Sequence, residues 1–99
     1  MTLEEFRQSL TRSQTPPPGL TPLLQALWHD AKGDWDGAHT LAQEVETKDG
    51  AWVHAYLHRK EGDPDNAGYW YRRASRDRFT GTLDDEWKSI VSALLESAD

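Results

Sequence analysis

The 99-residue chain contains no cysteine. That excludes a disulfide framework and every thiolate metal site. No apolar run of about 18 residues occurs either, so no membrane-spanning helix is expected. The first residues, MTLEEFRQSL, are too acidic and polar for a secretory signal, and a soluble, cytoplasmic protein is the expectation. A glycine-rich phosphate loop is missing, and no serine stands in a Gly-x-Ser-x-Gly elbow. These absences count against common nucleotide-binding enzymes and hydrolases. Basic charge is scarce: 11 Lys and Arg face 17 Asp and Glu, for a net charge of −6. Phosphate backbones require a basic footprint, so nucleic acid is not an expected partner.

Apolar residues make up only 36% of the chain, but five Trp, three Tyr and two Phe supply bulk. Each buries about 150–250 Å² when inside, enough for one core in a single domain of this length. The charge is uneven. Residues 59–78 hold six basic groups against four acids, leaving five basic groups and 13 acids elsewhere. A field of that polarity steers an acidic partner or a second copy of the chain. The carboxylates themselves carry no motif that marks an acid or base, and they are expected at the surface.

Helical periodicity runs the length of the chain and sustained strand alternation is absent, so the fold class is all-α with about six helices. Leu3, Phe6 and Leu10 mark a helix over 2–13, which TPPPG stops at 15–19. Thr21 is an N-cap and Pro22 the first helical residue of a second helix that ends at Gly33. Trp35, Ala38, Leu41, Ala42 and Val45 define a third, over 35–47. Asp49 is expected to cap a fourth over 50–61, and Asp63-Pro64 to open a fifth that reaches about Arg76. Leu83, Trp87, Ile90, Val91, Leu94, Leu95 and Ala98 give the cleanest amphipathic pattern, a closing helix over 83–98.

Shifting the sequence by 29 residues aligns Ala26 with Ala55, His29 with His58, and Gly33-Asp34 with Gly62-Asp63. Asp36 then meets Asp65, and Ala38 meets Ala67. A glycine takes the left-handed conformation that ends a helix, and the next aspartate accepts the free amides of the following one. The shared mechanics point to a duplicated helix-turn-helix unit. The spacings Ala26-Gly33-Ala38 and Ala55-Gly62-Ala67 resemble those of tetratricopeptide and Sel1-like repeats, and NAGYWYRRAS is similar to the second helix of a Sel1 unit. WVHAYLHRKEGDPDNAGYWYRRA also resembles a family of small uncharacterised bacterial proteins. The resemblance covers roughly residues 22–76 and implies two tandem helical hairpins, 20–47 and 49–76. The first and last helices would cap them, because two repeats alone are too few for a solenoid.

Two groups of residues are candidates for a site. HAYLH sets His54 and His58 at i and i+4, with Glu61 one turn on. Repeat equivalence adds His29, so His29, His54 and His58 are expected to face one cleft. Imidazoles at that spacing suit Zn²⁺ or Fe, with Glu61 or Asp30 completing the shell. The competing reading is a solvated face with a cation in a last helical turn. His39, in the first turn of its helix, is left outside this set. The second group is Tyr69 with Arg72, Arg73 and Arg76, an aromatic and arginine patch of the kind that grips carboxylates and phosphates. The alternative is an amphipathic helix whose arginine stems cover apolar neighbours. The reading that follows is a small helical-repeat adaptor for a protein or peptide partner, or for itself, without a cofactor. The rival is a metal-dependent or histidine-based enzyme.

Overall fold

The computed structural model describes residues 1–97. These form six α-helices: α1 (Leu3–Arg12), α2 (Pro22–Ala31), α3 (Trp35–Gln43), α4 (Lys48–Lys60), α5 (Pro64–Arg73) and α6 (Leu83–Ser97). No strand occurs among the described residues, so the all-α class holds. Ala98, assigned to the last helix from the pattern, lies outside the described residues. No helix among them is long and apolar enough to cross a membrane.

Local chemistry sets most boundaries. Thr2 and Glu5 close a capping box on α1, and Thr21 Oγ1 accepts the Leu24 amide ahead of Pro22 at the start of α2. The Gly-Asp corners work as the sequence implies. Gly33 and Gly62 adopt φ of +92° and +87°. In each corner the aspartate amide reaches back five residues, Asp34 to the His29 carbonyl and Asp63 to that of His58. That bond closes the outgoing helix. The same aspartate side chain then caps the next helix, Asp34 on the Gly37 amide and Asp63 on that of Asn66. One residue thus ends one helix and starts another, and α2 packs on α3 as α4 packs on α5. Ser75 repeats the backbone trick after α5, with φ +59° and an Arg76-to-Tyr71 bond in the same register.

The α3–α4 junction differs from expectation. Helix α3 ends at Gln43, and Thr47, not Asp49, caps α4 by accepting the Gly50 amide. The chain turns so tightly that a Cβ at position 50 would sit 2.0 Å from the Val45 carbonyl oxygen. Val45 keeps its contact with the core from this turn, which is why the helical pattern reads past the true end of α3. Helix α5 stops at Arg73, three residues early, where the Ser75 turn intervenes.

The core gathers where α1, α2, α4 and α6 meet. Phe6 lies against Trp87 with ring centroids 5.7 Å apart, and the Trp87 indole donates to the Leu27 carbonyl at 3.1 Å. Ile90 and Val91 are fully buried beside Val53 and Leu57 in the same cluster. Burying each such side chain contributes about 1.5–3 kcal/mol.

Two acids are inside, contrary to the expectation of surface carboxylates. Asp30 accepts from the Tyr56 hydroxyl at 3.0 Å and from Lys60 Nζ at 2.9 Å. Glu86 is completely buried. It accepts from the Trp52 indole at 3.2 Å, Arg59 Nη1 at 2.9 Å and the Tyr71 hydroxyl at 2.8 and 2.6 Å. Every partner donates, an arrangement that a carboxylate satisfies in full. Burial and these carboxylates push both tyrosine hydroxyls to higher pKa, so Tyr56 and Tyr71 serve as fixed donors. Glu86 therefore ties α6 to α4 and α5.

Candidate three-histidine site

Helices α3 and α4 bring three imidazoles together. They are His39, His54 and His58, each offering a nitrogen within 4.8 Å of the others. Spacing explains the convergence. On α3, Trp35, Ala38, His39 and Ala42 fall at i, i+3, i+4 and i+7, so the alanines that let α3 approach α4 carry His39 with them. On α4, His54 and His58 are one turn apart and both buried.

The rings are held firmly. His39 stacks on Trp35 with centroids 4.9 Å apart and planes 13° from parallel, and His54 stacks on Trp70 at 3.8 Å and 14°. The Trp35 indole in turn donates to the Leu57 carbonyl at 2.8 Å, which fixes the α3 side of the box. His39 Nε2 and His54 Nε2 share a hydrogen bond of 2.9 Å. His58 Nδ1 meets Glu61 Oε1 at 2.7 Å, so its Nε2 carries the lone pair when Nδ1 donates. Asn66 lies 3.4 Å from that Nε2.

Burial, more than any neighbour, lowers the pKa of His54 to about 4, with the charges of His39, His58 and Arg73 adding to the effect. Burial, and then His58, also lowers His39. Both rings are therefore neutral at pH 7, the state in which imidazole binds metal. Tetrahedral coordination with metal–nitrogen bonds of about 2.1 Å places ligand nitrogens roughly 3.4 Å apart. The His39–His54 pair needs to open by about half an ångström, and His39, on the short α3 and half-buried, is the less enclosed of the two rings.

The sequence-derived set is thus brought together in part. His54, His58 and Glu61 meet, but His29 is not with them; its ring packs edge-on against Trp28. Repeat-equivalent residues stand at least one interhelical spacing apart, about 8–10 Å, so equivalence places them along a stack and not across a cleft. Asp30 is committed to Tyr56 and Lys60. His39 takes the third place. A further grouping of His58, Glu61 and Asp63 shares His58 with this one, and Asp63 is occupied as the cap of α5.

The arginine patch divides. Arg73 lies over Trp70 at 5.1 Å and donates to the Tyr69 hydroxyl at 3.1 Å, beside the histidines. Arg76 covers Trp52 at 3.5 Å in a separate place, and Arg72 is exposed. A cavity of about 300 Å³ opens between the α3–α4 turn and α5, with His54, Trp70 and Arg73 on its wall.

The arrangement is that of a small helical protein with a three-imidazole cluster, one outer carboxylate and an adjoining cavity. No protein-family model, curated protein or solved structure matches the chain.

Proposed function

We propose that this protein binds a divalent transition-metal ion through His39, His54 and His58, with Zn²⁺ the best match. The observation that carries the reading is the convergence of three imidazole nitrogens with Glu61 behind His58. A carboxylate behind a ligating histidine orients the ring and raises its basicity. Three imidazoles suit zinc, whereas non-haem iron sites favour two histidines and a carboxylate in direct contact. Three protein ligands leave a fourth position for water or an exchangeable ligand. Calorimetric titration of Zn²⁺ into chelator-treated protein tests this. One equivalent is expected to bind, with loss of the signal in His39→Ala and His54→Ala. Glu61→Gln should weaken binding by about 10- to 100-fold. Absence of heat, or equal loss in His29→Ala, overturns the reading.

A second reading, a protein or peptide partner docking on the outer face of α5, is favoured by one observation. Tyr69 is 45% exposed and its ring is braced by Arg73 at 5.8 Å. Aromatic and arginine pairs of this kind anchor interfaces. Recovery of one stoichiometric partner that Tyr69→Ser abolishes, with zinc uptake intact, would support it.

A further inference from the structure

His54 is only 5% exposed, and one of its two ring nitrogens is spent on His39. The other, Nδ1, has no hydrogen-bond partner among the described residues. No sealed side-chain nitrogen or oxygen among them goes without a partner, so Nδ1 reaches open space. His54 lines a cavity of about 300 Å³. His58 differs in this respect. Its Nδ1 is held by a carboxylate of the chain itself, Glu61, at 2.7 Å. The protein supplies an outer carboxylate to one of two stacked imidazoles and leaves the place open at the other.

The wall around that open nitrogen has the charge to fill it. Arg73 and Lys48 line the cavity against a single acid, Glu46. Arg73 uses one guanidinium hydrogen on Tyr69, which leaves the rest of its fork free. Ala51 and the Trp70 ring give an apolar surface beside these groups. We infer that this cavity binds a small carboxylate, seated on His54 Nδ1–H and paired with Arg73 and Lys48. A planar guanidinium matches a carboxylate edge with two parallel bonds. A phosphate dianion would meet Glu46 with too few donors to offset it. The volume stands at the small end of ligand sites, about 300–1,000 Å³, so the acid is a small one.

Bound there, the carboxylate fixes the His54 tautomer. With the proton on Nδ1, the Nε2 lone pair faces His39 in the three-histidine cluster. This coupling, which rests on the metal reading, makes carboxylate and Zn²⁺ each tighten the binding of the other by the same factor. Occupancy of the cavity by itself does not depend on metal.

The test is an NMR titration of the metal-free chain with sodium acetate, following the His54 ring resonances against matched sodium chloride. A saturable shift with acetate and none with chloride is expected. Arg73→Gln and Lys48→Gln, both replacing exposed side chains, should each weaken acetate by about tenfold with an unchanged unfolding transition. A shift that stays linear, or saturates equally in Arg73→Gln, overturns the inference. Tighter saturation by sodium phosphate overturns the assignment to a carboxylate. Repeating the zinc titration with and without acetate separates the two readings. Saturable acetate binding without zinc uptake removes the metal site and leaves the cavity standing; zinc uptake without acetate binding does the opposite.

Discussion

Replacing Glu86 with glutamine keeps the size of a fully buried side chain and removes its charge. The carboxylate accepts from Trp52, Arg59 and Tyr71 with both oxygens engaged. A carboxamide has one oxygen, so either orientation turns its NH₂ group toward a donor. Removing one member of a buried ion pair costs about 3–5 kcal/mol. Arg59 is 27% exposed along its side chain and keeps its bond to the Gly81 carbonyl, so its own charge is not stranded. The loss should fall at the lower end, about 3 kcal/mol, against a total of about 5–15 for a domain of this size. Urea unfolding followed by tryptophan fluorescence at pH 7 measures it directly, and Tm should drop by roughly 12–24 °C. Tyr71→Phe, which removes one donor to a charged acceptor and leaves the charge, should cost about 1.5–3 kcal/mol. A Glu86→Gln penalty below about 1 kcal/mol would refute the view that this carboxylate ties α6 to the hairpin beneath it.

Gly50→Ala should destabilise by about 1–3 kcal/mol in the same assay, because the added carbon meets the rigid Val45 carbonyl. Ser75→Gly should stabilise by a few tenths to about 1 kcal/mol, since Ser75 is held at φ +59° with a side chain that disfavours it. The lowered pKa of His54 means that folding favours the neutral ring. The associated stability is complete above the unfolded value of 6.5 and is lost as pH falls through about 4. That gap corresponds to about 3 kcal/mol, and denaturant midpoints across this range should fall in wild type and much less in His54→Gln. Deleting residues 83–99 should abolish cooperative unfolding, because Trp87, Ile90, Val91 and Leu94 leave the core together. A truncated chain with an undiminished calorimetric transition would contradict this.

How much of the molecule can be read from its sequence depends on the range of the chemistry involved. The Gly-Asp corners were legible because each is settled within six residues, by a left-handed glycine and a short carboxylate next to it. The α3–α4 junction was not, since Thr47 and Asp49 are both good caps. The choice between them falls to the packing of Val45 against Gly50, a contact specified by the turn itself. His54 and His58 declared themselves by spacing. His39 did not, although the signal was present: it shares the i, i+3, i+4, i+7 face with Trp35, Ala38 and Ala42. Reading that face by hydrophobicity alone passes over an imidazole. Glu86 gave no local sign of burial, because its three donors come from two other helices.

The stack of His54 on Trp70, with ring centroids 3.8 Å apart, gives the molecule a light meter of its own. Indole emission is quenched by a protonated imidazole in face contact and changes when the ring is drawn toward a metal or an anion. Trp70 is therefore a dye set by the fold beside the proposed site. With the other four indoles replaced by phenylalanine where folding permits, a cuvette and a lamp suffice to watch events at His54.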